Sequence, residues 1–237
     1  MRVLTYNIHK GIGGRDRLYR LERIIEVIRE QHADIISLQE VDRNVSRSRF
    51  DDQPALLQQA FGFEFAIYQF NHRVGDGGYG NLVLSRYPIA KRHNISLRYR
   101  GRKNRRAQVA MIQAPGVDLR LVNFHLGLGE NERQWQVRHL LTHESYCAFQ
   151  DTPTLVAGDF NDWRNTLHRG ALAEQGLTQV TAPPSKFRSF PAYMPVGALD
   201  KAFACRRIVI EGAHVVNSDL ARRASDHLPL VVDFNVK

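Results

Sequence analysis

Residues Val3–Leu38 read VLTYNIHKGIGGRDRLYRLERIIEVIREQHADIISL, and the pattern of this stretch decides the fold class. Val3–Ile8 is alternating and β-branched, as a strand requires. Leu18, Leu21, Ile24, Ile25 and Ile28 then recur at helical spacing, which predicts a helix with its apolar face toward a sheet. Ala33–Leu38 (ADIISL) follows as a second, buried strand. Strand, helix and strand in this order suggest a βαβ-type unit.

Outward from this unit, Phe63–Phe70, Asn81–Ser85, Ala107–Gln113 and Leu119–His125 are short apolar runs separated by Gly, Pro or charged turns, and predict further strands. Asn131 to about Phe149 predicts a long helix, Thr154–Ala157 a buried strand and Thr166–Gln175 a short helix. The tail returns to strands at Leu199–Ala204, Ile208–Val215 and Leu230–Phe234. The sequence carries no internal repeat, low-complexity segment or linker, so the expectation is one α+β domain over residues 1–237, with two sheets and helices outside.

The 237 residues are 43% hydrophobic and 24% charged, a balance that excludes a disordered chain and supplies a substantial core. No uncharged run approaches the roughly 18–20 residues of a membrane span, and the N-terminus lacks the apolar stretch of a secretory signal. Cys147 and Cys205 are too few for a disulfide framework and lack zinc spacing. They read as buried thiols in a reducing compartment, which places the protein in the cytoplasm. The net charge of +9 is concentrated. Gly77–Val117 contains no Asp or Glu but carries Arg86, Lys91, Arg92, Arg98, Arg100, Arg102, Lys103, Arg105 and Arg106, so the rest of the chain is neutral overall. Such a stretch suits a polyanion, nucleic acid or anionic phospholipid; the competing reading is a solvated face paired with acidic groups from elsewhere in the fold.

Polar residues gather at the ends of the apolar runs: Asn7, Glu40, His125, Asp159 with Asn161, Asp200, and Asp226–His227. Such groups are costly when buried alone, so they are exposed, bonded to one another or bound to a cation. Oxygen ligands without thiolates favour Mg²⁺, with Mn²⁺ as a substitute, whereas zinc would want clustered His or Cys. There is no P-loop and no GxSxG motif.

TYNIHKG (Thr5–Gly11), LQEV (Leu38–Val41), GNLVLSRYPI (Gly80–Ile89), NFHLG (Asn123–Gly127), GDFND (Gly158–Asp162) and SDHLPL (Ser225–Leu230) together resemble the endonuclease/exonuclease/phosphatase superfamily. The six blocks run in the family's order over nearly the whole chain, and the likeness is to small bacterial members. The resemblance implies a four-layer α/β sandwich, with two mixed β-sheets packed face to face and helices on both outer faces. It also implies a metal-dependent phosphoesterase. On that basis Glu40 looks like the principal metal ligand, Asn7 its amide neighbour and Asp226 a second carboxylate near the metal. Asp159 and Asn161 look like the pair that positions the attacking water and the phosphate. His227 looks like the imidazole facing the phosphate, with Asp200 holding its other nitrogen. His125 matches the histidine of the deoxyribonuclease and sphingomyelinase branches. Arg105, Arg106 and Tyr79 are candidate substrate contacts, with a plain surface role as the competing reading.

The chain has Asp42 where abasic-site enzymes carry Lys, and GALDKAF where inositol phosphatases carry a PAWCDR-like segment. The expectation is a Mg²⁺-dependent phosphodiesterase acting on DNA or RNA. The alternatives are a phospholipid or small-molecule phosphodiesterase or phosphatase, and a non-catalytic polyanion-binding module. Within the basic run only Tyr99 interleaves with Arg and Lys between Lys91 and Arg106, so no base-stacking platform is visible in the sequence.

Overall fold

The computed structural model describes residues 1–149 and 151–237. In chain order the elements are β1 (Arg2–Asn7), α1 (Leu21–Arg29), β2 (Ile35–Arg43), α2 (Gln53–Phe61), β3 (Phe65–Val74), β4 (Gly77–Ser85), β5 (Ile89–Ser96) and β6 (Arg106–Ala114). They continue with β7 (Val117–His125), α3 (Glu130–Thr142), α4 (Glu144–Cys147), β8 (Thr154–Asp159), α5 (Ala171–Glu174), β9 (Leu177–Gln179), β10 (Asp200–Cys205), β11 (Ile208–Val215), α6 (Asp219–Ala224) and β12 (Leu230–Val236). One six-stranded sheet has the order β11-β12-β1-β2-β4-β3 and the other β5-β6-β7-β8-β10-β9.

Both sheets are mixed, and each contains one parallel pair bridged by a helix: β1–α1–β2 in the first, β7–α3–β8 in the second. The expected N-terminal βαβ unit is therefore present and has a counterpart on the other side. Strand alternation sorts the side chains. Val3, Ile35, Leu121, Leu155 and Ala157 fill the layer between the sheets. Leu4, Tyr6, Ile36 and Leu38 face α1, whose Leu21, Ile24, Val27 and Ile28 are buried against them. Val122, Phe124 and Val156 face Val137, Leu140 and Leu141 of α3. The four-layer sandwich with helices on both outer faces follows from that sorting.

Toward one end of the interior, the apolar layer gives way to buried amides. Gln39 Nε2 donates to Thr5 Oγ1 (3.0 Å) and Asn123 Oδ1 (2.9 Å). Asn123 Nδ2 donates to Gln108 Oε1 (2.9 Å), and Gln108 Nε2 donates to the Ile67 carbonyl (2.9 Å). Two of these bonds cross between the sheets, so they lock one sheet against the other while satisfying groups that would be costly unpaired.

Several expectations are corrected. The helix expected from Asn131 to about Phe149 is broken at His143, whose extended backbone (φ −69°, ψ 135°) ends α3 and whose Nδ1 accepts the Ser145 N–H to start α4. The expected Thr166–Gln175 helix is a 3₁₀ turn, Leu167–Arg169, and the short α5, separated by Gly170. Leu18 lies ahead of α1 and is exposed. Strands β5 and β9 and helices α2 and α6 were not anticipated, although α2 carries an Asp52 N-cap and a Pro in its first turn. Both cysteines are free and half-buried, not buried as expected. Among the described residues, no helix is long and apolar enough to cross a membrane.

Candidate active site

The carboxyl ends of the two parallel pairs meet at the amide-lined end of the sandwich, the position where open α/β sheets commonly hold ligands. Asn7 ends β1, His125 ends β7 and Asp159 ends β8. Their inward direction follows from alternation, since each is in phase with an inner-layer residue of its strand. Glu40 arrives differently. The β2–β4 register shifts between Leu38 and Val41, and Glu40 sits in this bulge with φ 57°. The extra residue keeps Gln39 facing inward, returns Val41 to the helical side and frees Glu40 to face the mouth, at the cost of a left-handed backbone.

Asp159 is the hub. Its Oδ1 accepts the Asn161 backbone N–H (2.9 Å) and its Oδ2 accepts Asn7 Nδ2 (3.0 Å). His125 Nε2 lies 3.2 Å and His227 Nε2 3.7 Å from the same Oδ2. Asn161 turns back under the carboxylate through its own left-handed φ of 50°, and its Nδ2 donates to the Leu126 carbonyl. Gly158 permits the close β7–β8 approach just before the hub, because a Cβ there would overlap the Phe124 carbonyl. Burial, then the Asp200 charge, push the Asp159 carboxyl up to about 6 against the pull of His227.

His227 Nδ1 donates to Asp200 Oδ2 (2.7 Å), and Ser189 Oγ donates to the same oxygen (2.5 Å). Burial works against a charged His227, but Asp200 and Asp159 outweigh it and raise its pKa to about 10. His125 behaves oppositely: burial, then the Arg105 charge, lower its pKa well below the usual imidazole value. The centre therefore holds one imidazolium and one neutral imidazole on either side of a carboxylate, with their other nitrogens on Asp200 and, for His125 Nδ1, 3.7 Å from Glu40.

Burial would raise the Glu40 carboxyl, yet the Lys10 charge holds it well below the ordinary carboxylate range. Lys10 Nζ pairs directly with Glu40 Oε2, so an ammonium supplies the positive charge that this carboxylate demands. Among the described residues no three His, Cys, Asp or Glu side chains converge as a ready metal cage. Mg²⁺ takes one or two carboxylates and keeps water and phosphate oxygens. Glu40 and the Asn7 carboxamide oxygen fit that role. Asp226 lies 3.8 Å from His9 Nε2 and acts on His227 by its charge.

The three candidate substrate contacts fare differently. Arg105 is only 6% exposed, and its Nε has no hydrogen-bond partner among the described residues. Tyr79 is buried with its hydroxyl unpaired, and its ring is approached by Lys10, Arg47 and Lys103 at 5.6, 5.5 and 5.0 Å. The Arg106 side chain makes no hydrogen bond or ion pair among the described residues; its carbonyl accepts Asn81 Nδ2. Sequence reasoning missed Lys10, Ser189, the Asp42–Arg47 pair (2.7 Å) beside Tyr79, and Phe190, whose ring lies 4.8 Å from that of His227. Lys10 stood inside the recognised TYNIHKG block; nothing in sequence spacing marks Phe190.

This fold and this site define a class of protein: a sandwich with a cluster of carboxylates, imidazoles and amides where its two parallel strand pairs end. The model of the Endonuclease/Exonuclease/phosphatase family matches residues 4–227, and the chain belongs to that family. It is 31% identical to the uncharacterized protein YbhP of Escherichia coli K12 over 99% of this chain and 96% of that one. Among solved structures it is similar to an endonuclease/exonuclease/phosphatase from Beutenbergia cavernae (TM-score 0.86, 24% identity, 100% of this chain and 71% of that one). It is also similar to the mannosyl-6-phosphatase Bt3783 of Bacteroides thetaiotaomicron (TM-score 0.75, 16% identity, 99% of each chain). At these identities the two structures speak for the fold alone.

Proposed function

We propose that this chain is a Mg²⁺-dependent phosphodiesterase whose substrate is nucleic acid. The observation that carries the reading is the convergence of Asp159, His125 and the His227–Asp200 pair on one mouth beside Glu40. Asp159, fixed by Asn7 and Asn161 and raised toward neutrality, takes the proton of the attacking water. His227, kept charged by Asp200, donates to the phosphoryl oxygens as negative charge develops there and gives its proton to the leaving oxygen as the P–O bond breaks. Neutral His125 adds a second donor, and Arg105 brings a buried, carboxylate-free cation to the same side. A divalent cation held by Glu40 and Asn7 supplies, when bound, further neutralisation of the phosphate.

The reading requires hydrolysis of bis-p-nitrophenyl phosphate that stops with chelator and returns with Mg²⁺ or Mn²⁺. Full turnover in excess EDTA would remove the metal role. A second reading, a phospholipid diesterase, draws on the exposed apolar rim near His227. Trp163 is 57% exposed and packs on Phe190, with Met194 and Val196 exposed nearby in sequence. Parallel assays on single-stranded DNA, RNA and phosphatidylglycerol vesicles separate the two.

A further inference from the structure

Of the nine basic residues between Gly77 and Val117, only Arg86 lies near a carboxylate among the described residues, Asp34 at 3.9 Å. Among the described residues none of Lys91, Arg92, Arg98, Arg100, Arg102, Lys103, Arg105 and Arg106 has an acidic partner. The acidic neighbours that a merely solvated face would recruit from elsewhere in the fold are not there.

The segment that carries most of this charge leads into the active site. Leu97 N–H donates to the Arg105 carbonyl (2.8 Å), which closes the loop between β5 and β6. Gln136 of α3 ties it down, its Nε2 donating to the Leu97 carbonyl (2.9 Å) while its Oε1 accepts the Gly127 N–H (2.8 Å), two residues beyond His125. From the centre outward the loop presents buried Arg105, then Lys103 over the Tyr79 ring, then exposed Arg102, then Arg100 over the Tyr99 ring at 5.1 Å. At its far end α3 supplies what the sequence run lacked. The Tyr99 ring lies 5.4 Å from that of Trp135, which stacks on His139 (4.7 Å, 10° between planes). Trp135 is 37% exposed and stands one ring away from Arg100, which lies over Tyr99.

We infer that the loop Leu97–Arg105, with the ring row Tyr99–Trp135–His139, is a track for single-stranded nucleic acid leading to the catalytic centre. This rests on the phosphodiesterase reading above and adds the strandedness and path of the substrate. Phosphates follow Lys103, Arg102 and Arg100, and an unpaired base packs on the exposed surface of Tyr99 and Trp135. Rings recognise bases by stacking, which a duplex does not offer, and the Leu97–Arg105 hydrogen bond keeps the Tyr99 backbone within about 13 Å of Arg105, the span of two or three nucleotides.

The test compares wild type, Trp135→Ala, Trp135→Phe and Arg100→Ala/Arg102→Ala on a single-stranded octanucleotide, the matching duplex and bis-p-nitrophenyl phosphate. The track predicts that Trp135→Ala lowers kcat/KM on the octanucleotide about tenfold, mainly through KM, and that Trp135→Phe restores most of it. Hydrolysis of the small diester stays unchanged. The double Arg variant lowers the slope of log K against log[salt] for the octanucleotide by about 1.4. Equal losses on the small diester, no loss on the octanucleotide, or equal efficiency on the duplex would each overturn the proposal. So would binding to phosphatidylglycerol vesicles that needs Trp135 while the octanucleotide is ignored. Should wild type fail on the small diester, the catalytic reading falls by itself. Quenching of Trp135 fluorescence by the octanucleotide, measured with Trp163→Phe, still decides the track, with quenching in its favour and none against it.

Discussion

At Asp159 two oxygens meet four neighbours, and the consequences differ for the two histidines beside it. His227 has Asp200 behind it and Asp159 in front, so it holds its proton to about pH 10, while its unfolded value is near 6.5. A pKa raised by folding contributes stability that is complete below 6.5 and is lost as the pH rises through 10. In chelator, the thermal midpoint of wild type should therefore decline between these limits. Asp200→Asn should start lower and decline less; a variant that tracks wild type at every pH would contradict the assigned pairing. At this scale the sequence was informative. Asn7, Glu40, His125, Asp159 with Asn161, Asp200 and Asp226–His227 stood out as polar ends of apolar runs. Ser189 was invisible because a lone serine in a loop carries no pattern, and Lys10 because a surface lysine is the ordinary expectation.

The β2 bulge shows why elements were read less well than residues. Strict period-2 alternation turns Glu40 toward the helical layer, and only the inserted residue, with φ 57°, brings it to the mouth. Alternation detects regular strands, so a bulge is hidden from it. The same holds for the break at His143, where a continuing polar-apolar pattern masks an extended residue. The bulge also yields a prediction. If it exists to place a carboxylate for a cation, Mg²⁺ should raise the thermal midpoint of wild type by mass action, and Glu40→Gln should abolish that rise. An equal Mg²⁺ response in the variant would show that the cation binds elsewhere.

Across the whole molecule, two similar halves face each other, each with a helix-bridged parallel pair, and the candidate site residues sit where their ends meet. Strand and helix types were legible from the periodicity, but the pairing order was not, because periodicity says nothing about neighbours. The amide layer that joins the halves was also unread: Gln39, Gln108 and Asn123 look like surface residues until the sheets are stacked. Asn123→Leu leaves the Gln39 Nε2 donor and the Gln108 Oε1 acceptor without this partner. It should cost about 2 kcal/mol of stability by chemical denaturation, and less than about 0.5 kcal/mol would mean that the layer does not couple the sheets. The basic loop likewise gained its meaning only in three dimensions, when α3 set Trp135 beside Tyr99.

The account stands on a hydrolytic centre shared by the two halves, and the Asp159→Asn variant addresses it most directly. With Mg²⁺ and bis-p-nitrophenyl phosphate, loss of the carboxylate should lower turnover at least ~10²-fold while the circular dichroism spectrum stays that of wild type. A folded Asp159→Asn protein that turns over this diester at the wild-type rate would contradict it.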